Sequence, residues 1–109
     1  MIIDLAGVRE ELEPFFNPRS VAIVGATITR GPGTFNVVDN LISFGYKGEI
    51  YPVNPKYTEV LGRKAYKSVK DIPGPVDLVL IAVGRAIVPS IVKDCAEKGV
   101  KSVIIVTQG

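Results

Sequence analysis

The chain has 109 residues, of which 47% are hydrophobic, so it can bury one compact core and is too short for two domains of ordinary size. Thirteen basic against eleven acidic side chains leave a formal charge of only +2, and the basic residues form no run, which argues against a nucleic-acid partner. The sequence contains no histidine and one cysteine, so we predict no catalytic residue, no metal site and no disulfide within it.

Residues 1–17 are predicted to form an N-terminal helix and a lead-in, because apolar residues recur there at helical spacing before a turn at Asn17-Pro18. The same segment carries acidic residues where a signal peptide would be basic. No apolar run in the chain approaches the roughly 20 residues that span a membrane. We therefore expect a cytoplasmic protein with no membrane partner.

The first strand is predicted over residues 21–25, which are apolar on both faces and end at a glycine, as is typical of a central parallel strand. The helix after it is predicted to begin at a Thr34 cap, to run to about Phe44 and to stop at Gly45. The apolar stripe of this helix consists of Val37, Val38, Leu41 and Ile42.

A second strand is predicted over residues 49–53, and Pro52 within it favours a poorly paired or terminal position in the sheet. The sequence is polar between residues 56 and 75. A short strand is suggested at residues 64–66, and a turn is predicted at residues 73–75.

Residues 77–83 form the clearest predicted strand, and a helix with one apolar face follows and stops at Gly99. That face consists of Ile87, Ile91, Val92, Cys95 and Ala96, so Cys95 is expected to be a reduced, structural thiol. The last strand is predicted over residues 102–106. Residues 107–109 stand where a crossover helix would normally start, so we expect the chain to be part of a longer protein.

This alternation of strands and helices predicts one α/β domain over residues 1–109, with a Rossmann-like, doubly wound, mostly parallel sheet in a three-layer αβα arrangement. In such sheets, ligands bind outside the carboxyl ends of the strands, where the strand order reverses. Four loops meet that description: residues 25–34, 54–56, 84–85 and 107–109.

The first of these loops has three glycines and three hydroxyl side chains that lead into a helix N-terminus, a pattern typical of phosphate binding. The glycine spacing matches neither G-x-G-x-x-G nor a P-loop, and the alternative is that residues 31–33 only turn the chain. The candidate ligand residues of this loop are Gly25, Ala26, Thr27, Thr29, Arg30, Gly31, Gly33 and Thr34.

The second loop, Asn54-Pro55-Lys56, has a lysine where a domain that binds NAD usually has an acid. A lysine attracts phosphate, which favours a nucleotide with an extra ribose phosphate, either CoA or NADP. The alternative is that Lys56 is a solvated surface lysine. In the third loop, Gly84 allows a close backbone approach to a ligand, and Arg85 either contacts phosphate or faces water.

Three blocks of the sequence, residues 12–26, 48–56 and 75–83, resemble the N-terminal CoA-binding domain of ADP-forming (NDP-forming) acetyl- and acyl-CoA synthetases. Gly33-Thr34-Phe35 is also similar to the end of the glycine-rich loop in the alpha subunit of succinyl-CoA synthetase. The resemblance implies that residues 27–34 and Phe35 contact the nucleotide and pyrophosphate of coenzyme A, with Asn54, Pro55 and Lys56 beside the nucleotide. It further implies that Val83 and Gly84 line the path of the pantetheine arm and that Gln108 lies near the thiol.

The resemblance also implies an enzyme in which an acyl phosphate exchanges with CoA, while a phosphohistidine and an ATP-grasp unit lie in further domains or in a beta subunit. This chain alone would dock CoA and would not be catalytic. Two alternatives stay open: a stand-alone CoA-binding protein, and a regulatory Rossmann domain that binds NADP(H) or NADH. An uncovered last strand would expose apolar surface that favours self-association, so a homo-oligomer is a further alternative.

Overall fold

The computed structural model describes residues 17–28 and 36–105. The predicted N-terminal helix, the Thr34 cap residue itself and the end of the predicted last strand lie outside these residues. In chain order the elements are β1 (Ser20–Val24), α1 (Val37–Ser43), β2 (Glu49–Val53), β3 (Glu59–Val60), β4 (Arg63–Lys64), a 3-10 helix (Val69–Asp71), β5 (Leu78–Ile81), α2 (Val88–Lys98) and β6 (Ser102–Ile105).

The main sheet has four strands in the order β2-β1-β5-β6, and every neighbouring pair is parallel. All five residues of β1 are buried, as predicted for a central strand. Pro52 lies in β2, at the edge of the sheet, where a missing backbone N–H leaves the pairing with β1 intact. The sheet thus confirms the predicted α/β, Rossmann-like fold class.

Alternate residues of the central strands face opposite helices, so the described part of the domain has three layers. Ala22 and Val24 pack in one cluster with Cys95 of α2. Val21 and Ile23 pack in the other with Val38 of α1. Because side chains alternate along a strand, each strand supplies both cores, and the two helices hold the sheet from its two sides.

The N-cap of α1 is Asn36, so the predicted Thr34 cap is wrong. The Asn36 side-chain oxygen accepts a hydrogen bond from the backbone N–H of Asp39 at 3.0 Å, which satisfies a donor of the first helical turn. Its amide nitrogen donates to the carbonyl oxygen of Thr27 at 2.7 Å. Asparagine therefore caps the helix with its side-chain oxygen and ties the helix to the chain after β1 with its side-chain nitrogen. A threonine side chain does not offer these two groups on separate atoms.

The side chains of α2 that are buried also differ from the apolar face predicted for this helix. Cys95 is buried, and Val88 and Ile91 pack against the same core, whereas Val92 is 39% exposed and Ala96 lies at the surface. Burial raises the pKa of the Cys95 thiol, with a smaller contribution from the nearby Asp94 carboxylate, so the predicted structural role of this cysteine fits its surroundings. The helix stops as predicted at a left-handed glycine, Gly99.

The polar segment between β2 and β5 contains the β3–β4 hairpin and a single parallel bridge between Val53 and Tyr66. The predicted strand at residues 64–66 is therefore divided between two different pairings. β5 is shorter than predicted, because it ends at Ile81 and the chain then turns towards α2.

Gly25 occupies the tightest position at the carboxyl end of the sheet. Its backbone has a positive φ of 91°, which favours glycine, and its N–H donates to the carbonyl oxygen of Val53 at 2.9 Å. A Cβ at this position would overlap the carbonyl oxygen of Ala82 and approach the Val83 side chain to 3.0 Å. Both the conformation and the space there exclude a side chain.

We predict that Gly25→Ala lowers the free energy of unfolding by roughly 2–5 kcal/mol, because a left-handed alanine and an overlap with backbone both have to be accommodated. The matched control is Gly45→Ala, since Gly45 has a φ of 77° but no neighbouring atom within 4 Å of the added Cβ. The control should lose only about 1–2 kcal/mol. Equal losses in urea unfolding would show that the contact with Ala82 is unimportant.

Candidate functional site

The carboxyl ends of β1, β2 and β5 meet at one edge of the sheet. From β1 the chain passes to β2 on one side and later returns to β5 on the other, so the strand order reverses between β1 and β5. A cleft of about 420 Å³ opens at this edge. Its lining residues are Val24, Gly25, Val53, Asn54, Pro55, Lys56, Lys67, Ser68, Val69, Val83, Gly84, Ile87, Ile91 and Asp94.

Six of the sequence-predicted residues line this cleft together: Gly25, Asn54, Pro55, Lys56, Val83 and Gly84. Ala26 and Thr27 are not lining residues. Their carbonyl oxygens accept hydrogen bonds from the side chains of Asn54 and Asn36, respectively. Arg85 is exposed and is not a lining residue. The remaining predicted residues lie outside the described residues: Thr29, Arg30, Gly31, Gly33, Thr34, Phe35 and Gln108.

The sequence did not predict several of the residues that line the cleft. Lys67, Ser68 and Val69 come from the polar segment before β5, where no hydrophobic period indicated a position in the fold. Ile87 and Ile91 were assigned to the core face of a helix, yet both line the cleft and Ile87 is 52% exposed. A serine followed three residues later by an acid, at Ser68 and Asp71, was the one local signal of a helical turn here.

Asn54 joins three segments of the chain at the edge of the cleft. Its side-chain nitrogen donates to the carbonyl oxygen of Ala26 at 2.9 Å, and its side-chain oxygen accepts from the backbone N–H of Lys56 at 2.9 Å. Its own backbone N–H donates to the carbonyl oxygen of Tyr66 at 2.9 Å. Asn54 thereby sets where Lys56 leaves the sheet edge, which is the turn chemistry that Asn side chains commonly supply.

The walls of the cleft are largely aliphatic, whereas its polar groups are few. Lys56 and Lys67 bring positive charge. Among the lining residues that the structure describes, Asp94 is the one carboxylate, and it lies 3.8 Å from the ammonium of Lys70. The pKa of Lys70 is raised, first by its hydrogen bond to Glu97 and then by the charges of Glu97 and Asp94. Such a cleft suits a ligand with an apolar or aromatic body and a phosphate.

Gly84 contrasts with Gly25 in this site. Among residues 17–28 and 36–105, a Cβ at Gly84 would meet no atom within 4 Å, and the φ of Gly84 does not lie in the left-handed region. The packing of these residues therefore does not require glycine at position 84. The open space is consistent with the close backbone approach of a ligand that the sequence predicted.

Within residues 17–28 and 36–105, no group of three His, Cys, Asp or Glu residues is placed to hold a metal ion. Neither α1 nor α2, the α-helices of those ranges, has the length and apolar character that crossing a membrane requires.

A parallel sheet with a reversal of strand order, an aliphatic cleft at that reversal and lysines at its border define a nucleotide-binding α/β domain. A family model described as a CoA binding domain matches residues 19–108, and the chain belongs to this family. The resemblance seen in the sequence is thus confirmed, and coenzyme A is the ligand that the family assignment supports.

The curated relatives are longer proteins. The chain is 46% identical over 99 residues to the ADP-forming acetate–CoA ligase II of Archaeoglobus fulgidus, and the match covers 91% of the chain and 15% of the ligase. It is 46% identical over 102 residues to the ADP-forming acetate–CoA ligase I subunit alpha of Pyrococcus furiosus, covering 90% of the chain and 22% of the subunit. The chain therefore spans less than a quarter of the length of either relative.

A solved structure shows the same fold at similar coverage. The dinucleotide forming acetyl-coenzyme A synthetase 1 of Ca. Korarchaeum cryptofilum, in complex with phosphate and ADP, superposes with a TM-score of 0.81. The sequence identity is 39%, and the match covers 90% of the chain and 21% of that structure. The parallel sheet and its helices therefore have the fold of one part of that longer protein.

We predict that Asn54→Ala lowers the free energy of unfolding by about 1–3 kcal/mol, because the carbonyl of Ala26 and the amide of Lys56 both lose a partner. It should also weaken CoA binding, since Lys56 is then no longer held at the cleft. Asn40→Ala makes the same change on α1, away from the cleft lining, and should leave CoA binding intact. Urea unfolding and calorimetric titration give both readouts, and unchanged CoA affinity in Asn54→Ala would contradict the positioning role.

Proposed function

We propose that the chain binds coenzyme A in the cleft and serves as the CoA-docking part of an ADP-forming acyl-CoA synthetase. The observation that carries the proposal is the convergence of Gly25, Lys56 and Gly84 on one aliphatic cleft at the strand-order reversal. The names of the relatives support the same activity for the larger enzymes that contain such a domain.

We propose an order in which the parts of CoA lie along the cleft. The end of the second strand is where α/β nucleotide-binding domains contact the ribose, so we expect Lys56 to lie beside the ribose phosphate. The aliphatic walls formed by Val53, Val69 and Ile87 suit the adenine base. Val83 and Gly84 would then lie along the pantetheine arm. Contacts of residues 29–35 with the pyrophosphate and of Gln108 near the thiol stay predictions from the sequence.

The contribution of this chain to the reaction is positioning. CoA supplies the thiol whose sulfur attacks the carbonyl carbon of an acyl phosphate. The C–S bond of the acyl-CoA forms, the bond from that carbon to the phosphate oxygen breaks, and inorganic phosphate leaves with the thiol proton. A domain that fixes the nucleotide end of CoA limits the motion of the thiol and so converts part of the binding energy into a favourable geometry for attack. Histidine is absent from all 109 residues, so we place the phosphohistidine relay and the ATP-grasp unit in further domains or in a beta subunit.

The exposed face of β6 supports the presence of such partners. Val103 and Ile105 are paired in register with Val79 and Ile81, and therefore lie on the same side of the sheet as α2. Their exposed fractions are 36% and 48%, whereas Val79 and Ile81 are fully buried. We propose that another domain or subunit covers this face within the assembled enzyme, which is located in the cytoplasm, and that self-association through it is the alternative.

The first test is calorimetric titration of the chain with CoA, dephospho-CoA, NADPH and ADP under identical conditions. We expect CoA to bind most tightly, because it alone combines the ribose 3′-phosphate with the pantetheine arm. Lys56→Ala should weaken CoA by about tenfold and dephospho-CoA much less, as expected for the loss of one charge-assisted contact.

Lys47→Ala serves as the control, since Lys47 is exposed and does not line the cleft. Binding of NADPH without CoA would favour the regulatory Rossmann alternative. Equal weakening of CoA and dephospho-CoA in Lys56→Ala would remove Lys56 from the phosphate contact.

The second test addresses the synthetase role. The native gene product, purified from its own source, should contain this sequence together with further domains or a second subunit. It should form ADP, inorganic phosphate and acyl-CoA from ATP, an acid and CoA. Lys56→Ala in that enzyme should raise KM for CoA and leave KM for ATP unchanged, because the two nucleotides bind in different parts of the protein. A native product that binds CoA but lacks this activity would favour a stand-alone CoA-binding protein.

A further inference from the structure

Tyr66 extends the sheet beyond β2 as a one-residue parallel strand. Its N–H donates to the carbonyl oxygen of Pro52 at 2.9 Å, and its carbonyl oxygen accepts from the N–H of Asn54 at 2.9 Å, so the two bonds flank Val53. Since the bridge is parallel, the chain leaves residue 66 at the same edge of the sheet where it leaves Val53. Lys67 therefore emerges at the carboxyl edge, as Asn54 does.

The chain after Lys67 is held as firmly as the chain before it. The side-chain oxygen of Ser68 accepts from the N–H of Lys70 at 3.2 Å, and its carbonyl oxygen accepts from the N–H of Asp71 at 3.0 Å. The first residue of the 3-10 helix, Val69, is buried in the core on the α2 side. Lys67 thus projects from a backbone fixed on both sides, which reduces the entropy lost when it binds a ligand.

The acidic side chains beside the cleft pair with Lys70, so Lys67 stays available to bind a ligand. Lys70 contacts Glu97 at 3.0 Å and Asp94 at 3.8 Å, and the ammonium of Lys98 donates to the carbonyl oxygen of Ile72. Within residues 17–28 and 36–105, the side chain of Lys67 has no ion pair or hydrogen bond, although it lines the cleft. Because Lys70 offsets the charge of Asp94, Lys56 and Lys67 leave the cleft with an excess of positive charge.

A ribose phosphate monoester carries about −1.5 to −2 charges at neutral pH, so a single lysine offsets only part of its charge. We propose that Lys67 is a second phosphate-binding residue, which together with Lys56 binds the ribose phosphate at the nucleotide end of coenzyme A and makes the cleft selective for nucleotides that carry that phosphate. The role rests on the proposed CoA docking and adds the residue that determines selectivity.

The experiment compares the affinities of CoA and dephospho-CoA in the wild type, Lys67→Ala, Lys56→Ala and the double variant. We expect Lys67→Ala to weaken CoA by about tenfold and dephospho-CoA by less than about twofold. The double variant should bind the two ligands with similar affinities. Raising the salt concentration should reduce the preference of the wild type for CoA, because screening weakens the attraction between exposed charges.

Lys93→Ala is the matched control, since Lys93 is an exposed lysine of α2 that does not line the cleft, and it should bind both ligands as the wild type does. Lys67→Arg should keep most of the preference for CoA, whereas Lys67→Gln should lose it. This pair separates charge from any effect on folding, because both side chains are long and polar.

Equal weakening of both ligands in Lys67→Ala would overturn the assignment and leave CoA docking in place, since Lys67 would then contact a part that the ligands share. An unchanged preference for CoA in that variant would overturn it as well. A wild-type chain that binds neither ligand would overturn the docking function and the role of Lys67 together.

Discussion

The parallel registration of β1 with its two neighbours is the constraint on which the rest of the structure depends. At the carboxyl end, the N–H of Gly25 donates to the carbonyl of Val53, and the N–H of Ala82 donates to the carbonyl of Val24, both at 2.9 Å. These bonds bring three strand ends to one level, so the loops that follow them border the same cleft. Only glycine fits at residue 25, because the backbone of the chain at Ala82 passes directly beside it.

The asparagine side chains beside the cleft form their hydrogen bonds mostly with backbone groups. Asn54 and Asn36 each donate to a carbonyl of the chain after β1 and accept from an N–H near their own position. Such bonds satisfy loop backbone that would otherwise be unpaired beside an aliphatic cleft. They also hold the loops without placing further charge in the cleft, so Lys56 and Lys67 dominate its electrostatics.

The match to a CoA binding domain over residues 19–108 assigns the family and supports coenzyme A as the ligand, while the cleft brings together the side chains that we propose contact it. The chain corresponds to one part of longer relatives such as the Pyrococcus furiosus subunit alpha, of which it covers 22%. Apolar residues of β6 are exposed, whereas a sheet face of this kind is normally packed against another element.

The sequence by itself determined the alternation of strands and helices, the central position of β1 and the edge position of the strand that contains Pro52. It also determined the helix stops at Gly45 and Gly99 and pointed to residues 54–56 as part of the cleft. These follow from local rules of periodicity, backbone conformation and turn chemistry. Only the tertiary structure decided that Asn36 caps α1, that Ile87 and Ile91 face a cleft, and that Tyr66 joins the sheet and is followed by Lys67 in the lining of the same cleft as Lys56. These features depend on contacts between segments far apart in the chain, such as the hydrogen bond between Asn54 and Ala26, whose positions differ by 28. A hydrogen bond of that kind leaves no period or motif in the sequence around either partner.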